Sequence, residues 1–342
     1  MTPTPESTVP TPASPRLAVL GAGSWGTTFA GVLVDGGAQV TLWARREEVA
    51  REIREEHRNS AYLGDHELPP SLDATADLAA ALDGADGIVI AVPAQSLRAT
   101  LAAAPALPAV PVLSLVKGIE RGTDARISQI IAEAGRVDPA LVGVLSGPNL
   151  SGEILERRPC ASVVAAPTEE LATTLATWCR APYLRAYTST DVIGVEVAGA
   201  VKNVIAIAVG AATGLGHGYN TTASLTTRGL AEITRLGIAL GGRRETFAGL
   251  AGMGDLVATC ASRLSRNHRL GLALGRGLSV EEAAAEVGQT AEGVATARAV
   301  AHLAARLGVD VPITSAVVDV VDHGADIDQV TSALLARSTR PE

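Results

Sequence analysis

Through the first half of the chain, short and nearly unbroken apolar runs alternate with longer amphipathic stretches. Leu17-Ala18-Val19-Leu20 leads into Gly21-Ala22-Gly23-Ser24-Trp25-Gly26, then into a helical stretch from Thr27 to Val34, and a second apolar run spans Gln39 to Trp43. This order predicts strand, tight turn, helix and strand at the spacing of a βαβ unit. Gly87 to Val92, Pro111 to Val116 and Val142 to Leu145 lack polar alternation and read as strands of a parallel sheet buried on both faces. Ala161 to Ala166 and Leu184 to Tyr187 add two more. Beyond Asp191 the pattern changes to long Ala/Leu-rich helical stretches, one of them announced by the capping-box sequence Ser279-Val280-Glu281-Glu282. The chain is therefore expected to be α/β over residues 16–190 and all-helical over 191–337. Residues 1–15 are rich in Pro, Thr and Ser, carry Glu6 as their only charge and lack a signal-like apolar run, which predicts a disordered tail.

Composition narrows the class. A length of 342 residues exceeds what one hydrophobic core serves, and 47% hydrophobic with only 3% aromatic residues means burial by Ala, Val, Leu and Ile. A net charge of -8 argues against nucleic-acid binding, which requires a basic footprint. Cys160, Cys179 and Cys260 are odd in number and widely spaced, suggesting neither a disulfide framework nor a thiolate zinc site and fitting a reducing cytoplasm. The six histidines form no HxxH or HExxH pair, so no metal site is expected. Val192 to Ala212 is apolar enough to suggest a membrane span, but Glu196, Lys202 and Asn203 interrupt it; a buried core helix is the better reading.

Candidate chemistry falls at the ends of these elements. In Gly21-x-Gly23-x-x-Gly26 the first glycine permits the turn, the second admits a pyrophosphate to the backbone, and the third lets helix pack on strand. Where a dinucleotide fold that takes NAD usually has an acidic residue after the second strand, this chain has Arg45 and Arg46. They suit a 2′-phosphate and favour NADPH over NADH, unless they merely pair with Glu47, Glu48 and Glu52 on a solvated helix. Lys117 and the Ser146 to Ser151 turn lie at the carboxyl ends of strands, where ligands gather. Lys202 sits in a largely apolar helical pattern, with Val195, Ala198 and Gly199 on its face. Either it snorkels to the surface, or burial lowers its pKa and makes it a proton-transfer group. Asp255 follows a glycine-rich approach and reads as a helix cap or a site carboxylate. Ser265-Arg266-Asn267 reads as a polar turn or an anion site.

Together, Gly21 to Thr27, Leu145-Ser146-Gly147-Pro148, Val197 to Val204, Gly252-Met253-Gly254-Asp255-Leu256 and Ser265-Arg266-Asn267 resemble the bacterial NAD(P)-dependent glycerol-3-phosphate dehydrogenases, in order, from about Arg16 to the region of Leu335. The resemblance implies an N-terminal Rossmann-type doubly wound sheet and an all-α C-terminal domain of the 6-phosphogluconate-dehydrogenase-like kind, with the active site between them. By position it implies cofactor contacts at Ser24, Trp25, Arg45, Arg46, Tyr62, Lys117, Ser151, Arg266, Thr290 and Glu292, beside the glycine turn. It implies substrate contacts at Lys117, Gly147, Asn149, Lys202, Asp255, Ser265, Arg266 and Asn267. Asn149-Leu150-Ser151 and Glu292-Gly293-Val294 depart from the residues many relatives carry there.

The implied reaction is reversible reduction of dihydroxyacetone phosphate to sn-glycerol 3-phosphate, a phospholipid precursor. Lys202 would transfer the proton, Lys117 would stabilise the nascent alkoxide, and Asp255 would orient Lys202 or bind a hydroxyl. Ser265, Arg266 and Asn267 would hold the phosphate. The partners expected are that small molecule and, at most, a second copy of the chain in a homodimer. A β-hydroxyacid dehydrogenase of the same architecture would have no use for the Ser-Arg-Asn cluster. An NADPH-binding redox sensor without catalysis would have no use for Lys202 or Asp255.

Overall fold

In the computed structural model, which describes residues 14–288 and 291–336, the alternation of side chains along the first strand already sets the architecture. Leu17 and Val19 of β1 (Arg16–Leu20) enter one core with Phe29, Leu33 and Leu42, while Ala18 and Leu20 enter another with Ile88, Ile90 and Leu97. A sheet buried on both faces must carry helices on both. The strands are β1, β2 (Gln39–Trp43), β3 (Asp73–Thr75), β4 (Gly87–Ile90), β5 (Val112–Ser114), β6 (Val142–Ser146), β7 (Cys160–Ala165) and β8 (Leu184–Ser189). Their order is β3-β2-β1-β4-β5-β6-β7-β8. Strand order reverses between β1 and β4, so the glycine turn after β1 opens at the crevice where such sheets bind ligands.

Two features go beyond the sequence reading. β3 has no counterpart in it: this strand has three residues at the sheet edge, too few for alternation to register. β7 runs antiparallel to β6, because the intervening turn and the short helix Ser151–Leu155 send the chain straight back beside β6. The expected tail lies outside the described residues except for residues 14 and 15, and so do Thr290 and residue 337.

From Val192 onward the described residues are helical or in turns. The 23-residue helix Val192–Gly214 is the axis of this half, with Val197, Val201 and Ile205 in one apolar cluster and Val204 and Ile207 in another. It is long and apolar enough to cross a membrane, but 83% of its most apolar window is buried inside the protein. Asp191 caps it, accepting from the Gly194 N–H at 2.9 Å, and also accepts from the Arg243 N–H at 2.8 Å.

Helix Arg266–Gly275 packs on it backbone to backbone. A Cβ on Gly271 would lie 2.0 Å from the Ile207 carbonyl oxygen, and one on Gly210 would lie 2.1 Å from that of His268. Only glycine allows this approach, which brings Ser265-Arg266-Asn267 alongside Lys202 and Asn203. The capping box at Ser279 forms as expected, with Ser279 and Glu282 exchanging side-chain to backbone bonds.

Candidate active site

One cavity of about 1370 Å³ runs from the glycine turn after β1 to the helical half. At its nucleotide end the three glycines divide their labour by sterics. Gly21 has φ of 120°, and a Cβ there would meet the Ala91 carbonyl group at 2.9 Å; on Gly26 it would fall 1.9 Å from the Gly21 carbonyl oxygen. Gly23 faces open space, with no described atom within 4 Å of a Cβ placed there. That opening stands before the first turn of helix Ser24–Asp35, whose leading N–H groups have no side-chain cap. The arrangement fits a dinucleotide pyrophosphate. Ser24, Trp25 and Tyr62 line the same end. The Trp25 indole nitrogen is buried without a hydrogen-bond partner among the described residues.

Arg45 and Arg46 follow β2 and are exposed on the cavity wall. The alternative of pairing with neighbouring acids holds only loosely: Arg46 lies 3.6 Å from Glu48, and both are open to solvent. Such a pair contributes little and leaves a guanidinium available to an anion.

The chemistry concentrates where three elements meet. Lys202, 6% exposed, does not snorkel. Its Nζ donates to Thr259 Oγ1 at 2.7 Å and to Asp255 Oδ1. Lys117, in the loop after β5, donates to Asp255 Oδ2 at 2.7 Å and to the Gly147 carbonyl at 3.2 Å. Ser146 Oγ donates to Asp255 Oδ2 at 3.3 Å. Burial is the largest influence on Lys202 and brings its pKa down to about 7; Asp255 opposes this, and the Lys117 ammonium adds to it. For Asp255, burial favours the neutral acid, but Lys117 and then Lys202 outweigh it and hold the carboxyl below its ordinary range.

Local structure explains these positions. Asp255 opens helix Asp255–Ala261 directly after a π-helical turn, Leu250–Gly254, and its carboxylate serves the lysines, not a cap. Thr259 stands one turn later on the same face. Gly199, one turn before Lys202, lets the helix approach Ser146, since a Cβ there would lie 2.6 Å from Ser146 Oγ.

Ser265 caps helix Arg266–Gly275, accepting from the His268 N–H at 3.2 Å. The positive end of this helix and Arg266 face the cavity. Asn267 Oδ1 accepts from the Gly293 N–H at 3.0 Å, tying this turn to helix Glu292–Leu307. Glu292 accepts from the Ala94 N–H at 3.2 Å; burial raises its pKa, opposed by that bond and by the charges of Arg266 and Lys117. Asn149 accepts from Ser162 Oγ at 2.6 Å, which aims its amide, and Ser151 begins the next helix; both line the cavity.

The structure thus gathers Gly21, Gly23, Lys117, Lys202, Ser265, Arg266, Asn267 and Glu292 on one wall system. Asp255 and Gly147 are not on that wall: Asp255, 1% exposed, lies behind the two lysines, and Gly147 presents its carbonyl to Lys117. Gly26 is spent on helix packing. The sequence reading missed Thr259, whose signal was its spacing of four from Asp255, and Asn203, which lines the cavity beside Lys202. No metal-holding cluster of His, Cys, Asp or Glu occurs among the described residues.

Comparison with known proteins agrees with this geometry. Residues 16–172 match the family model of the NAD-dependent glycerol-3-phosphate dehydrogenase N-terminus, and residues 191–332 match that of its C-terminus. The glycerol-3-phosphate dehydrogenase [NAD(P)+] of Corynebacterium jeikeium is 52% identical over 96% of this chain and 99% of its own. That of Thermobifida fusca is 53% identical over 96% and 98%. The crystal structure of glycerol-3-phosphate dehydrogenase from Coxiella burnetii superposes with a TM-score of 0.89 at 36% identity, covering 95% of this chain and 99% of that one. With both halves matched in order and Lys117, Lys202 and Asp255 gathered at or directly behind one cavity wall, the chain belongs to the NAD-dependent glycerol-3-phosphate dehydrogenase family.

Proposed function

We propose that this protein catalyses the reversible NAD(P)H-dependent reduction of dihydroxyacetone phosphate to sn-glycerol 3-phosphate, with Lys202 as the group that gives up the proton and, in reverse, accepts it. The observation that carries this is a lysine buried on the cavity wall, fixed by Asp255 and Thr259, with its pKa brought to about 7. A group poised near neutrality serves equally as acid and base.

The bound nicotinamide supplies or takes up the hydride. Everything else falls to the chain. Gly23 and the start of helix Ser24–Asp35 receive the pyrophosphate, with Ser24, Trp25, Tyr62, Ser151 and Glu292 around the cofactor and Arg45 and Arg46 favouring NADPH. Lys117 places a positive charge where the carbonyl oxygen gains negative charge, and a low-dielectric site strengthens that attraction. Asp255 positions Lys202 and Lys117 from behind. Arg266, with Ser265, Asn267 and the positive end of their helix, holds the substrate phosphate. Asn149 lines the substrate side. Thr290, implied as a cofactor contact, lies outside the described residues.

We further assign the nucleotide part to 16–190 and the catalytic helical part to 191–337. A cytoplasmic enzyme feeding phospholipid synthesis accords with three unpaired cysteines. The decisive assay follows loss of reduced-nicotinamide absorbance with dihydroxyacetone phosphate, dihydroxyacetone and the keto form of a β-hydroxyacid. Turnover confined to the phosphorylated ketone supports the assignment; turnover of the ketoacid alone, or none, refutes it.

A further inference from the structure

The chain that carries Lys117 forms a closed loop beyond the cavity. Ile119 and Arg126 face each other in an isolated antiparallel bridge, the Glu120 N–H bonds the Ala125 carbonyl at 3.0 Å, and the Asp124 N–H returns to the Glu120 carbonyl at 3.0 Å. Asp124 has φ of 59°, a conformation non-glycine residues keep only when their surroundings hold it. Both halves of the molecule supply that hold. Gln95 grips the loop from the nucleotide half, donating to the Ile119 carbonyl at 2.8 Å and accepting from the Arg121 N–H at 3.0 Å. From the helical half, Arg306 donates to Asp124 at 2.8 Å.

The deepest grip is Glu196. Its side chain is 3% exposed and accepts from the Ser128 N–H at 2.6 Å, from Ser128 Oγ at 2.8 Å and from the Arg126 guanidinium. Glu196 and Lys202 share one rigid helix, but six residues put their side chains about a third of a turn apart, so Glu196 looks away from the cavity. It is not on the cavity wall. A buried ion pair is weak evidence of added stability, because desolvation offsets the attraction; fixing a register is its better-attested use.

We propose that Glu196 is a positioning residue of the active site, gripping Arg126 and Ser128 so that the Lys117 loop stands against the Lys202 helix where both ammonium groups share Asp255. Lys202 and Glu196 belong to the helix, and Lys117 and Arg126 belong to the loop. Gln95 and Arg306 hold the outer part of the loop, and Ile119 packs in the same cluster as Val197 and Val201. Asp255 ties Lys117 to Lys202, and Glu196 adds a polar anchor on the Lys202 helix itself, which sets how the loop stands against it.

The proposal rests on Lys202 as the proton-transfer group, and its test separates the two. Lys202 is faced by Asp255 and Cys260 from helix Asp255–Ala261 and by Lys117 from the loop. If the loop relaxes, Lys202 loses the repulsion of Lys117 and keeps the attraction of Asp255, so it holds its proton to higher pH. In Glu196→Gln, and in Arg126→Ala, which acts from the less buried side, the falling limb of kcat/KM for ketone reduction should move up by about one pH unit. In both, kcat should fall about tenfold from misplacement of Lys117. Arg126→Ala carries the test if Glu196→Gln does not fold. A lower kcat with the limb unmoved would make Glu196 a structural residue and overturn the proposal. Wild-type and Lys202→Met profiles run alongside: a limb that survives in Lys202→Met would overturn the proton-transfer assignment itself, a distinct result.

Discussion

Lys202 and Asp255 form a buried couple in which the carboxylate stands behind the lysine and the lysine faces the cavity. Asp255 therefore holds the proposed proton-transfer group from behind. Burial first, and Lys117 next among the groups that favour the neutral amine, leave Lys202 with a pKa of about 7. With Lys202 as the proposed proton-transfer group, reduction needs the protonated amine and oxidation the neutral one. In pH profiles of kcat/KM, ketone reduction should fall above about pH 7 and alcohol oxidation should fall below it. Limbs running in the same direction would separate Lys202 from the proton transfer.

The glycine turn gives a paired test. Gly23→Ala meets no described atom within 4 Å, so the fold should persist while KM for the dinucleotide rises, because the methyl group occupies the pyrophosphate opening. Gly26→Ala places a Cβ 1.9 Å from the Gly21 carbonyl oxygen and should lower the thermal midpoint and the yield of folded protein. Thermal melts and cofactor titrations on both variants check this; equal loss of stability would mean that Gly23 is also a packing residue.

Much of this was legible in the sequence because the signals were local. The run Leu17 to Leu20 with its glycine turn specified strand, turn and helix within a few residues, and Ser279 to Glu282 specified a helix start. β3 was not legible, since Asp73–Thr75 gains its strand character only by pairing with Thr41 to Trp43. The reversal at β7 was hidden for a similar reason: direction is a property of the connection, and the apolar run looks the same either way. At the site, residue types pointed to Lys202, Lys117 and Arg266, but not to depth. That Asp255 lies behind the lysines and that Gly199 and Gly271 admit neighbouring chain are relations between distant segments. Burial of Glu196 against Arg126 belongs to the same group.

The proposed preference for NADPH rests on Arg45 and Arg46, exposed on the cavity wall after β2. Removing a charge-assisted hydrogen bond by truncation costs about 1.5–3 kcal/mol, and exposure puts these two arginines near the lower end. Arg45→Ala with Arg46→Ala should raise KM for NADPH by about tenfold or more, the equivalent of one such bond, and KM for NADH much less. Equal changes for both cofactors would mean that the arginines serve only solvent and Glu48.

Arg266 should connect phosphate binding to turnover. Energy from a remote phosphate helps to position the carbonyl, so Arg266→Ala should lower kcat as well as raise KM and should discriminate poorly between dihydroxyacetone phosphate and dihydroxyacetone. Arg266 also faces Glu292 in the cavity, so NADPH affinity is measured separately by fluorescence titration. A variant that retains the wild-type preference for the phosphorylated ketone would place the phosphate elsewhere.

The central claim is that Lys202 moves the proton, and Lys202→Met tests it most directly. Methionine matches the lysine stem in volume and suits the apolar wall of helix Val192–Gly214, so the fold should survive and NADPH should still bind. General acid catalysis is worth about 10²–10⁴-fold, and kcat for dihydroxyacetone phosphate reduction should fall by that factor near pH 6, the gap narrowing above about pH 7 as wild-type Lys202 loses its proton. A folded, cofactor-binding Lys202→Met enzyme with near-normal kcat would contradict this mechanism.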